Sequence, residues 1–184
     1  MLPQKYQWLD TIGPLPKLVS AAIQYLGIKE IPGKGSNPVI LDMASRIGIK
    51  SIYVNDDTSW CAVFINFLCK ISGLPMVDPG KDKYNLMRAK YMLNWGSKVE
   101  MKDMKLGDIG VLDRPGGGHV FIIIGKTPGG NVIGLGGNQS DSVTFSEFDI
   151  KRLLGVRRYN DPSNLESAKL YTISSEGKLS SNEA

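Results

Sequence analysis

Apolar residues recur at intervals of three and four along the first half of the chain. In the second half they gather into short continuous or alternating runs. In residues 15–27, Leu18, Val19, Ala22, Ile23 and Leu26 fall on one helical face, and Gly27 is placed to end the helix. A loop at Ile31-Pro32-Gly33-Lys34-Gly35 leads to Asn37-Pro38, the pattern of an N-cap followed by proline at the first helical position. That helix is expected to reach about Arg46 and stop at Gly48. From Asn55 onward, capping residues (Asp57, Thr58 or Ser59) give way to a nearly unbroken apolar run through Cys69 that ends at Gly73. A helix apolar nearly all round is a buried central helix. Residues 85–95 predict one more helix.

The period then changes. Residues 108–113, 119–125 and 131–135 are short runs rich in β-branched side chains, separated by Pro115-Gly116-Gly117-Gly118 and Pro128-Gly129-Gly130. Such runs between glycine and proline turns predict an antiparallel meander. Residues 155–159 are expected to add a final strand. Helices first and strands second imply an α+β domain over residues 1–160. The Ser- and Asn-rich stretch from 161 to 184 reads as a tail, with a short strand at 170–173.

Composition narrows the partners. The chain has 184 residues, 42% hydrophobic and 22% charged, which is ordinary for a soluble globular domain. The net charge of +4 suits an anionic partner, and equally suits simple solubility. The basic residues are scattered, with no basic stripe interleaved with aromatics, so nucleic acid is not the expected partner. No apolar stretch approaches the roughly 20 residues of a membrane span. The amino-terminal segment, with Asp10 and two prolines inside its apolar run, lacks the pattern of a signal peptide. Synthesis in the cytoplasm is the expectation, with any action outside following release, secretion or virion delivery.

Two cysteines and one histidine are the candidate chemistry. Cys61 and Cys69 lie about 12 Å apart along one helix, too far for a disulfide. Cys61 falls in the first helical turn, where unpaired N–H groups and the helix dipole favour a thiolate and could hold an oxyanion. The competing reading is a small buried hydrophobe, and for Cys69 that reading prevails. His119 opens a strand beside three glycines, a place from which it could face a cleft or simply sit satisfied in the core. One histidine rules out a histidine-based metal site but permits a Cys-His pair. A third group would orient the imidazole. Asn138, a hairpin's length past His119, offers a side-chain carbonyl for this, or is a turn asparagine.

Taken together, these segments resemble the CHAP and NlpC-type cysteine peptidases and amidases of the papain-like fold, in particular a compact, often phage-encoded group. The matching pieces run from Tyr25 to Gly33 with Asn37-Pro38, then Ser59-Trp60-Cys61-Ala62-Val63-Phe64-Ile65-Asn66. They continue through Leu106-Gly107-Asp108-Ile109, Gly118-His119-Val120 and Gly136-Gly137-Asn138-Gln139. The resemblance covers residues 18–158. It implies a papain-like α+β domain acting on peptidoglycan amide bonds, with Cys61 as nucleophile, His119 as base and Asn138 as the orienting residue. Many CHAP domains carry a glutamate two residues before that asparagine, where this chain has Gly136. Glu30 and Asn37 belong to the matching segments and are read as substrate contacts beside the cleft, or as a solvated glutamate and a helix cap. Trp60 is expected to line the groove or to pack. Asp56-Asp57 falls short of a calcium loop's ligand spacing, so neither metal nor cofactor is expected.

The expected function is peptidoglycan hydrolysis by two-step acyl transfer, as an endolysin, a virion-borne lysin or a secreted effector. Bacterial peptidoglycan is the expected partner, with a virion assembly or a secretion partner as delivery. The rivals are an inactive structural virion component of the same fold and a cysteine acyltransferase.

Overall fold

The computed structural model describes residues 1–160 and 169–174. Helices lead and strands follow, giving an α+β fold built on an antiparallel sheet. The rest of the stretch expected as a tail lies outside the described residues.

A short 3-10 turn at Gln4–Asp10 precedes α1 (Lys17–Ile23) and α2 (Pro38–Arg46). Asn37 caps α2 as its sequence predicts: its Oδ1 accepts from the Val39 N–H at 2.9 Å, and Pro38 follows. Helix α3 (Cys61–Ile71) is the central helix, with every residue from Cys61 to Cys69 buried. Its one buried polar side chain, Asn66, is fully used. Nδ2 donates to Ala62 O (3.0 Å) and Leu86 O (3.1 Å), and Oδ1 accepts from Val77 N (3.0 Å).

That contact explains one departure from the sequence pattern. Residues 85–95 do not form one α-helix. They form two 3-10 segments, Lys83–Met87 and Ala89–Asn94, joined at an extended Arg88. Asn66 takes the Leu86 carbonyl that a continuing helix would use, and Arg88 Nη1 reaches back to Asp82 and Asn85.

The strands are β1 (Ser97–Val99), β2 (Ile109–Arg114), β3 (Gly117–Lys126), β4 (Val132–Gln139), β5 (Ser142–Phe148), β6 (Leu153–Arg158) and β7 (Tyr171–Thr172). The order across the sheet is β1-β6-β2-β3-β4-β5, and β7 pairs parallel with the far end of β3. Strands β2 to β5 are the expected meander with one strand more than predicted. Alternation along β3 separates two cores. Val120, Ile122 and Ile124 face α3 in the main core, while Phe121 and Ile123 join Leu112, Phe148 and Val156 on the other face. Among the described residues no helix is long and apolar enough to cross a membrane.

One ion pair closes the sheet. Arg158 Nε and Nη2 grip the buried Asp108 carboxylate at 2.6 and 2.7 Å, and Asp108 also accepts from the Lys105 N–H. Removing one partner of a buried pair costs about 3 kcal/mol or more, whereas an exposed pair such as Lys98–Glu100 contributes roughly 0–1 kcal/mol. Urea unfolding is therefore expected to show Asp108→Asn destabilised by about 3 kcal/mol and Glu100→Gln unchanged within about 0.5 kcal/mol; equal effects would contradict this account.

Burial pushes the Cys69 thiol up to about 12. An unfolded thiol titrates near ~8.5, so the folded chain keeps a proton that the unfolded chain has lost. This contribution to stability is complete below about pH 8.5 and falls as pH rises toward 12. Denaturation across that alkaline range should show the decline, and Cys69→Ala should flatten it in part. Identical slopes for the two proteins would place Cys69 outside the core.

Candidate active site

The start of α3 is built in an unusual way. None of Asp57, Thr58 and Ser59 holds the N-cap position: Trp60 does, and it makes no side-chain capping hydrogen bond. Thr58 Oγ1 instead bonds Asn55 Oδ1 at 2.8 Å, and Ser59 Oγ turns to Arg114 and Asn138. The first turn keeps donors free for another acceptor, and Cys61 stands among them.

The Cys61 side chain is 2% exposed. Burial pushes its thiol up, and four neighbours pull the other way: the main chain of Val120, the charge of Arg114, the main chain of Ala62 and the hydroxyl of Ser59. The sulfur therefore rests against the peptide joining His119 to Val120, one peptide plane from the Cα that carries the imidazole.

His119 is wholly buried, its ring centroid 6.0 Å from Phe121 and 5.5 Å from Phe148. Its Nε2 lies 3.1 Å from Gln139 Oε1. Gln139 cannot turn its amide round, because its own Nε2 donates to Thr144 O at 2.5 Å. A carboxamide oxygen only accepts, so the proton of the neutral imidazole belongs on Nε2. The basic lone pair is then on Nδ1, the nitrogen nearer the main chain.

The residue facing the imidazole is thus Gln139, and not Asn138 as expected from the sequence. The reason is a break in strand alternation. The β4–β5 register shifts between Gly136 and Gln139, and Asn138 takes a left-handed φ of 57°. A Cβ on Gly136 would meet Phe121, and one on Gly137 would meet Trp60, so these two glycines still alternate between faces. The bulge then reverses the order. Asn138 points to the Trp60 side, where Nδ2 donates to Ser59 Oγ at 3.3 Å, and Gln139 crosses to the His119 side.

Gly136 gains a purpose from this. A Cβ there would stand 2.6 Å from Gln139 Oε1. The space that a side chain at 136 would take is filled by the Gln139 carboxamide.

The three expected substrate contacts have other partners. The Trp60 indole is wholly buried, edge-on to Phe64, and its Nε1 donates to Glu30 Oε1 at 2.6 Å. Glu30, half-buried, thus has an internal partner. Burial raises its pKa first of all, the Trp60 N–H opposes that, and Asp141, Asp56 and Asp57 add to it. Asn37 is the helix cap, and its Nδ2 donates to Lys29 O at 2.7 Å. The buried Asp56 straps the intervening loop, its Oδ2 accepting from Ile31 N at 3.1 Å and Asn37 N at 2.7 Å. Among the described residues no three His, Cys, Asp or Glu side chains converge as metal ligands.

The sequence carries no expectation for Arg114. Gln139 stands there only as the amide next to Asn138, Asp56 only as half of an acidic pair, and Ser59 only as a cap. No protein-family model matches the chain, and no curated protein matches it.

Because His119 is the sole histidine, its ring nitrogens can be assigned without ambiguity by NMR. The neutral ring is expected to carry its proton on Nε2, and Gln139→Ala or Gly136→Ala to mix the tautomers. A wild-type ring protonated on Nδ1 would contradict the Gln139 assignment.

Proposed function

We propose that the protein is a papain-like cysteine peptidase or amidase, of the CHAP/NlpC type, that cleaves an amide bond of bacterial peptidoglycan. The observation that carries the reading is the meeting of two elements at one peptide. The start of α3 delivers the Cys61 sulfur to the main chain of Val120, and the adjacent residue is a histidine whose tautomer is set by Gln139.

Burial holds the thiol protonated, so the reaction needs a base. His119 Nδ1 takes the proton from Cys61 Sγ, and the thiolate attacks the amide carbonyl carbon. The uncapped N–H groups at the start of α3 hold the resulting oxyanion. The C–N bond breaks as Nδ1–H returns the proton to the departing amine, leaving a thioester on Cys61. Water, deprotonated by the same nitrogen, then releases the acid and restores the thiol. Gln139 keeps the ring in the tautomer this sequence requires. The net charge of +4 supports adsorption to an anionic wall. Delivery to that wall is by lysis, by the virion or by secretion.

One observation favours a second reading. With Cys61 only 2% exposed, the site is closed in this structure, as suits a structural virion component that kept the fold without turnover.

Digestion of purified peptidoglycan with mass spectrometry of the products separates the two. The wild type is expected to release fragments with a newly freed amine, Cys61→Ala to release none, and Gln139→Ala to be slower by about 10- to 100-fold through misplacement of the ring. Walls of several chemotypes left intact by the wild type would favour the structural reading. Products that appear only with an added acceptor amine would point to a transferase.

A further inference from the structure

Ser59 lies two residues before Cys61 and makes none of the capping bonds its position predicts. Its oxygen accepts from Arg114 Nη2 and from Asn138 Nδ2, each at 3.3 Å. A hydroxyl has two acceptor lone pairs and one proton. Both lone pairs face nitrogen donors, which leaves the hydroxyl proton for a third group. The neighbouring acceptor is the Cys61 sulfur, to which the Ser59 hydroxyl is hydrogen-bonded.

Asn138 bears two costs to complete this arrangement. Its φ of 57° is a left-handed conformation, and its Oδ1 is buried without a hydrogen-bond partner. The left-handed turn also brings Gln139 to His119, but the orphaned Oδ1 plays no part in that contact. An orphaned carbonyl beside an engaged amide nitrogen marks a side chain held for what its nitrogen does. Here that atom is Nδ2, aimed at Ser59.

We propose that Ser59 is a further catalytic residue, an obligate hydrogen-bond donor to the Cys61 thiolate, with Arg114 and Asn138 as positioning residues that leave its hydroxyl no other direction. This rests on Cys61 being the nucleophile. The donor lowers the cost of forming the thiolate in a buried site, and Arg114 places a positive charge behind it. No bond is made or broken at Ser59. It donates to the sulfur while the proton of Cys61 passes to His119, and again when the sulfur leaves at deacylation.

The test is an ultraviolet titration of thiolate absorbance, taken as the difference between each protein and the same protein carrying Cys61→Ala. The subtraction removes Cys69 and the tyrosines, and the readout requires neither wall substrate nor an accessible thiol. Ser59→Ala is expected to raise the Cys61 midpoint by about one pH unit, a tenfold loss of thiolate at a fixed pH below it. Ser59→Thr, which keeps the hydroxyl, is expected to restore the wild-type midpoint. The proposal is overturned if Ser59→Ala titrates with the wild type, or if Ser59→Thr, folded by circular dichroism, stays with Ser59→Ala. A shift in midpoint in a protein that leaves peptidoglycan intact would support Ser59 and count against the hydrolase reading. Peptidoglycan digestion lost in Ser59→Ala without any shift would count against Ser59 alone.

Discussion

The Trp60 indole pressed onto the bare main chain of Gly137 is the contact on which the site depends. Any side chain at 137 would meet the ring, with a Cβ only 2.5 Å from it. The ring is buried without remainder and its Nε1 is satisfied by Glu30, so it cannot shift without exposing a large apolar surface and orphaning a donor. Trp60 is the residue before Cys61. Fixing the indole against β4 fixes the first turn of α3 against β3, and so places the sulfur at Val120. Glu30 is held in turn by the edge of the sheet, through its N–H to Asp141 O and a bridge between Lys29 and Ser142. Residues expected at the substrate form the clamp behind Cys61.

The bulge in β4 performs the other half of the construction. A regular strand would have left Asn138 on the face of His119 and Gln139 on that of Trp60. By reversing them, one left-handed residue equips both faces: a carboxamide oxygen for the imidazole and an amide N–H for Ser59. The Ser59 side and the His119 side of the sheet are thereby equipped by consecutive residues. The bare positions at 134, 136 and 137 leave room for Phe121, Gln139 and Trp60 respectively.

How far this could be read from the sequence differs by element. Helices α2 and α3 follow their apolar pattern closely, because the period and the terminal glycines 48 and 73 agree, both with positive φ. The helix drawn over 85–95 fails for a reason no local pattern holds, since the Leu86 carbonyl is claimed by Asn66 from α3. Strand β5 escaped notice because its turn, Ser140-Asp141, has positive φ at both residues without a glycine or asparagine to signal it. Cys61 and His119 stand where the sequence places them, at the start of a helix and near the start of a strand. The amide beside the imidazole lies one position past the expected Asn138, because counting along a strand assumes an alternation that the bulge breaks. The roles of Trp60, Glu30 and Asn37 turn on long-range partners that spacing does not reveal.

The most direct test of the account is whether turnover belongs to the Cys61 sulfur. Capping thiols with methyl methanethiosulfonate, mapping the modified positions by mass spectrometry and assaying wall digestion on the same sample answers this. Digestion should fall in step with modification of Cys61, be indifferent to Cys69, and return when a reductant removes the cap. Undiminished digestion by protein whose Cys61 is fully capped would contradict the assignment of Cys61 as nucleophile.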